Sequence, residues 1–199
     1  MEQIRSFIAI ELPEEIRQAL AELRARLQAG KPPSVKWVDP HSIHLTLKFL
    51  GSIAADKTGD ITGAMEAAAC DITPFSLEVK GVGVFPNFKR VRVVWVGVEG
   101  NISQLKLLQQ RIESNLVPLG FARETRPFTP HLTLARVREK ASPSEQQNFG
   151  QVIASASFET AHHFTVDRIN LMRSQLTPEG AIYSQIKTVN LKKTLVKRL

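Results

Sequence analysis

The sequence predicts an α+β protein of two lobes related by a pseudo-twofold axis, each a mostly antiparallel sheet backed by helices, with a cleft between them. Three observations carry this. The tetrapeptide His-Leu-Thr-Leu stands at His44–Leu47 and again at His131–Leu134, 87 residues apart. Each copy is preceded by an apolar run and then by a stretch of helical periodicity. The spacing also repeats, with 37 residues from Phe7 to His44 and 37 from Val94 to His131. On this reading the 199 residues form one bilobal domain whose internal copies run roughly over 4–90 and 91–189.

The elements follow in order. Phe7-Ile8-Ala9-Ile10 reads as a strand, and Ile16, Leu20, Leu23 and Leu27 then recur on one helical face. In the second half, Val93 to Val96 plays the strand, and Ile102, Leu105, Leu108, Ile112 and Leu116 the helix. After each tetrapeptide comes a polar stretch of helical character, around 56–70 and 143–154. Strand-like segments follow at Phe75–Lys80 and Phe164–Ile169, 89 residues apart, then at Val91–Val98 and Ala181–Val189. Pro86-Asn87 and Pro178-Glu179-Gly180 supply turns between them.

Composition excludes several classes. Residues are 43% apolar and 23% charged, enough for a core. The net charge of +7 is largely a property of the end of the chain, where residues 187–199 hold five basic side chains and no acid. Residues 1–186 carry 21 basic against 19 acidic side chains, so charge alone is a weak argument for nucleic acid. The single cysteine, Cys70, forbids an internal disulfide and a cysteine-rich metal site, which fits a reducing compartment. No apolar stretch is long enough to span a membrane, and the amino-terminal residues do not resemble a signal peptide, so a cytoplasmic protein is expected.

Strand alternation places His44 with Thr46 on one face and Leu45 with Leu47 on the other, and likewise His131 with Thr133 against Leu132 and Leu134. The leucines anchor each strand in a lobe. If the lobes face each other, two imidazoles and two hydroxyls share the cleft. That array suits in-line displacement at phosphorus, where a base takes a proton from water and an acid gives one to the leaving oxygen. Histidine titrates near neutrality and so serves either role, and threonine hydroxyls can donate to the non-bridging oxygens. By the same parity Lys48 shares the histidine face and adds positive charge. The residues alone leave open which histidine is the acid.

The paired His-x-Thr motifs resemble the signature of the two-histidine (2H) phosphoesterase superfamily, and within it the RNA 2',3'-cyclic phosphodiesterases, also called 2'-5' RNA ligases. The likeness runs through Arg5–Pro13, Lys36-Trp37-Val38, Ile43–Gly51, Gly81–Pro86, Arg126–Arg136 and Leu176–Tyr183. It implies opening of an RNA terminal 2',3'-cyclic phosphate to a 2'-phosphomonoester, with His44 as proton donor, His131 as proton acceptor, and Thr46 and Thr133 on the phosphoryl oxygens. Microscopic reversibility then implies weak 2'-5' joining. Arg126 and Arg136 flank the second motif as candidates for phosphate contact. Regular alternation would put Arg136 on the leucine face, whereas the family pattern favours it. Lys89, Arg90 and Arg92, beside Phe85 and Phe88, read equally well as an RNA guide or as a solvated hairpin.

No metal or other cofactor is expected, and the implied partner is RNA with a cyclic phosphate end or a small cyclic nucleotide. No protein partner is required, and a monomer is expected. His41 reads as a surface turn residue, His162 and His163 lack metal-site spacing and read as structural, Cys70 reads as a buried thiol, and Gly81-Val82-Gly83 is no phosphate loop. Three other functions compete: a nucleotide-binding module without turnover, a phosphodiesterase acting on 2'-5' linked oligonucleotides, and a metal-dependent phosphoesterase.

Overall fold

The computed structural model describes residues 2–30, 32, 34–158, 162–177 and 180–191. The elements run β1 (Gln3–Glu11), α1 (Glu14–Ala29), β2 (Val35–Trp37), β3 (His44–Ala54), α2 (Thr58–Ala69), β4 (Phe75–Asn87), β5 (Arg90–Gly100) and α3 (Ile102–Leu116). They continue with β6 (His131–Val137), α4 (Pro143–Ala154), β7 (His162–Val166), β8 (Arg168–Leu176) and β9 (Ala181–Asn190). Two antiparallel sheets result, one ordered β3-β1-β8-β9 and the other β2-β6-β5-β4-β7.

The helices form where the apolar periodicity places them. Ile16, Leu20, Leu23 and Leu27 are the buried face of α1, and Leu105, Leu108, Ile112 and Leu116 that of α3. The Asn101 side chain accepts from Gln104 N at the start of α3. Ser142 and Glu145 form a capping box at the start of α4. α2 packs on α3 and β9, α3 reaches β3, and α4 covers β4 and β5. One continuous apolar core runs beneath both sheets. No helix among the described residues is long and apolar enough to cross a membrane.

The lobes are not the two halves of the sequence. The first sheet takes β1 and β3 from the first half and β8 and β9 from the second, and the second sheet joins β4 to β5, β6 and β7. The segments Phe75–Lys80 and Phe164–Ile169, which spacing alone would match, are not equivalents in two lobes. Leu77 pairs directly with Phe164, so they are neighbours in one sheet, and the chain leaves that sheet at Asp167 to enter the other. Sheet position instead matches β4 with β8, each lying beside the inner strand of its motif pair. β2 is only three residues long, too short to show a periodicity in the sequence. The Pro178-Glu179 turn and the basic residues after Leu191 lie outside the described residues.

Candidate active site

His44 opens β3 and His131 opens β6, and these two strands, one from each sheet, contact each other. The repeated motif carries a repeated backbone irregularity. Ala9 pairs with Thr46 and Ile8 with Lys48, so Leu47 is an extra residue; Trp95 pairs with Thr133 and Val94 with Ala135, so Leu134 is extra. A bulge at the same place in both strands reverses the alternation beyond it. Hence Leu47 and Lys48 are both buried, as are Leu134 and Ala135.

This bulge corrects two expectations. Lys48 does not share the histidine face: it turns toward the core, where Nζ donates to Glu113 Oε2 at 2.8 Å and to the Ala122 carbonyl at 2.6 Å. A buried ammonium held in this way by a carboxylate and a carbonyl is structural. Arg136, conversely, is returned to the face of His131 and Thr133 and is exposed there. Arg126 lies in the exposed segment leading to β6, with its backbone N–H 3.5 Å from Glu124 Oε1.

Each imidazole is held in the same way. His44 Nδ1 lies 2.8 Å from the Ser42 carbonyl, and His131 Nδ1 lies 2.7 Å from the Thr129 carbonyl. A carbonyl only accepts, so Nδ1 carries hydrogen in both rings, and Nε2 is the nitrogen left to exchange a proton. The walls differ. His44 stacks on Phe7 at 4.5 Å and meets the edge of Tyr183 at 5.0 Å. Burial there disfavours the imidazolium and lowers the His44 pKa below the ordinary histidine value, with the Ser42 hydrogen bond opposing in part. His131 meets Phe85 edge-on at 5.1 Å and lies 6.5 Å from Trp95, whose ring covers Gly83.

Several contributors take no role from the sequence patterns, although Glu11, Lys36 and Tyr183 lie in segments that carry the family likeness. Glu11 pairs with His44 across β1 and β3 and accepts from Asn170 Nδ2 at 2.6 Å, while Asn170 Oδ1 accepts from Thr188 at 2.8 Å. Tyr183, the sole tyrosine, and Lys36, opposite Arg136, also face the motif strands. Periodicity and spacing give Asn170, Tyr183 and Lys36 no role, because β8, β9 and β2 reach the motifs only through the tertiary fold.

The remaining polar candidates stand apart. His41 sits exposed in a short 3-10 turn, His162 stacks on Phe158, and His163 is 3.9 Å from Glu78. Cys70 is half-buried, not buried, at the end of α2, and its carbonyl accepts from Arg111. Gly83 lies within β4 beneath Trp95. Lys89, Arg90 and Arg92 line a shallow concavity with Glu139, Pro143 and Gln146, next to the half-exposed Phe88. No three His, Cys, Asp or Glu side chains among the described residues cluster as metal ligands would.

Two facing strands with matched His-x-Thr motifs, matched bulges and matched imidazole anchors define the site, and known proteins resemble this chain across nearly its whole length. E. coli LigT complexed with 3'-AMP superposes with a TM-score of 0.78 at 26% identity, covering 96% of this chain and 100% of that one. TT0787 of Thermus thermophilus superposes at 0.76 with 28% identity over 94% and 98% of the two chains. The RNA 2',3'-cyclic phosphodiesterase of Methanothermobacter thermautotrophicus is 32% identical over 189 residues, 95% of this chain and 100% of its own. That of Thermotoga maritima is 34% identical over 180 residues, 90% and 91% of the two chains. The 2'-5' RNA ligase superfamily matches residues 12–178, and the chain belongs to it.

Proposed function

We propose that the protein is an RNA 2',3'-cyclic phosphodiesterase that opens the terminal cyclic phosphate to a 2'-phosphomonoester by paired general acid–base catalysis. The observation that carries this is the duplicated imidazole anchor: each Nδ1 is occupied by a carbonyl two residues upstream, so each Nε2 is available for proton transfer. The relatives named RNA 2',3'-cyclic phosphodiesterase supply the substrate class.

His131 Nε2 takes a proton from water as its oxygen bonds to phosphorus. The P–O3' bond breaks, and His44 Nε2 delivers a proton to the departing 3'-oxygen. The assignment of donor and acceptor follows the family resemblance. A phosphodiester anion beside His44 opposes the desolvation that lowers its pKa and so favours the charged donor form. Thr46 and Thr133 hydroxyls donate to the non-bridging oxygens, where charge grows in the transition state. Arg136, on the same face as His131, steadies that charge, and Arg126 is a further phosphate contact from the segment before β6. Run backwards, the same groups join RNA ends weakly through a 2'-5' linkage. No step in this scheme calls for a metal.

The test is hydrolysis of an oligoribonucleotide ending in a 2',3'-cyclic phosphate, in EDTA, by wild type, His44→Ala and His131→Ala. A 2'-phosphate product from wild type alone supports the mechanism. Loss of activity in EDTA, or a 3'-phosphate product, overturns it, and tight binding without turnover favours a binding module.

A further inference from the structure

Lys36 lies directly opposite Arg136 across the β2–β6 pair, and both side chains are exposed. Directly opposed residues share a face. Arg136 also pairs with Val93 of β5, on the side that carries Trp95, Thr133 and His131. The orientation of β2 is fixed independently by its neighbour, since Trp37 turns the other way to meet Phe149 of α4 at 6.1 Å. Lys36 therefore stands on the cleft side. Arg138, exposed, follows two residues after Arg136, its backbone N–H donating to the Ser34 carbonyl at 2.7 Å.

Like charges directly opposed on a sheet repel. Here no carboxylate forms an ion pair with Lys36, Arg136 or Arg138 among the described residues. The nearby acid on α4, Glu145, is occupied by the Ser142 cap. A repelling, uncompensated pair beside a phosphate chemistry is the signature of an anion site. Its position is also set. Arg136 is three residues beyond Thr133, and with the bulge about 7 Å along the strand, while Lys36 is one strand further out by about 4.8 Å.

We propose that Lys36, with Arg136 and Arg138, holds the internucleotide phosphate adjoining the cyclic end, so that the substrate is an RNA strand and not a lone nucleoside cyclic phosphate. This rests on the function proposed above. Arg136 then bridges the two phosphates, and Lys36 and Arg138 contact only the upstream one. A guanidinium can fork two oxygens and a lysine serves as a point charge, which suits a backbone contact without base specificity.

The experiment compares binding by calorimetry of a dinucleotide carrying a terminal 2'-phosphate with binding of a nucleoside 2'-phosphate. Wild type should bind the dinucleotide more tightly. Lys36→Ala should weaken the dinucleotide about fivefold while changing the mononucleotide less than about twofold. It should also lower the slope of log affinity against log salt by about 0.7 for the dinucleotide. Lys36→Arg should restore both, and Arg138→Ala should act like Lys36→Ala. Equal affinity of wild type for the two ligands, or an unchanged dinucleotide affinity in Lys36→Ala, overturns the proposal. Because binding is read, a protein that discriminates as expected but hydrolyses neither cyclic parent upholds this site and defeats the proposed reaction.

Discussion

Lys48 on β3 and Glu113 on α3 form an ion pair of 2.8 Å with both side chains over nine-tenths buried, and it ties the first motif strand to the approach of the second. Glu113 Oε2 also accepts from the Glu124 backbone, and Lys48 Nζ donates to the Ala122 carbonyl, so the pair grips the segment that ends at the Thr129 anchor of His131. Gln109 donates to the other Glu113 oxygen at 3.2 Å. Removing one partner leaves an uncompensated buried charge. Lys48→Met or Glu113→Gln should therefore cost about 3–5 kcal/mol, read by urea unfolding, whereas Lys48→Met with Glu113→Leu should recover most of the loss. Equal destabilisation by the double variant would refute the pair as the cause.

The two histidines should be separable from binding. His131→Ala and His44→Ala should each lower kcat by roughly 10²–10⁴ with little change in KM. Thr133→Val should lower kcat by roughly 10²–10³ if its hydroxyl stabilises developing charge, measured on a cyclic-phosphate oligonucleotide at saturation. A rise in KM alone would reassign the threonine to ground-state binding.

His44 should titrate below the ordinary histidine range in the free protein, because burial against Phe7 and Tyr183 penalises its charge. Its folded pKa is depressed, so between that value and about 6.5 the unfolded chain binds more protons than the folded one. Stability is then fully present above the ordinary value and is lost as pH falls toward and through the folded one. Imidazole NMR should show the low midpoint, and the urea midpoint of His44→Gln should respond less to pH in this window. A normal His44 midpoint would contradict the desolvated setting.

Gly83 should tolerate no side chain. A Cβ there would run into the Trp95 ring, which also lies near His131. Gly83→Ala should destabilise by about 1–3 kcal/mol through overpacking and displace the indole, seen as a changed tryptophan emission. Unchanged stability and emission would show that the ring relaxes freely.

Much of this architecture is readable from the residues. The repeated tetrapeptide locates both motif strands, and the leucine periodicity of α1 and α3 gives their buried faces, because local periodicity and core burial agree there. The exchange of strands between lobes is not readable, since β8 joins β1 and β7 joins β4, each a partner distant in sequence. Nor is the fate of Lys48 and Arg136. Period-two alternation assumes an unbroken ladder, and a single extra residue at Leu47 and at Leu134 inverts the assignment of everything beyond.

Those same bulges bring Phe49 and Arg136 to corresponding places on the two walls. Phe49 is 67% exposed and pairs with Phe7, which stacks on His44, whereas Arg136 is exposed on the wall of His131. A cleft with true twofold symmetry would admit a ligand end-for-end with equal ease, and reversal would only exchange the parts played by the two walls. Here one wall carries an exposed aromatic ring and the other an exposed cation, so a ligand with one anionic end meets different partners when it is reversed. Matched strands line the chamber, and the difference between Phe49 and Arg136 at one matched position gives it a direction.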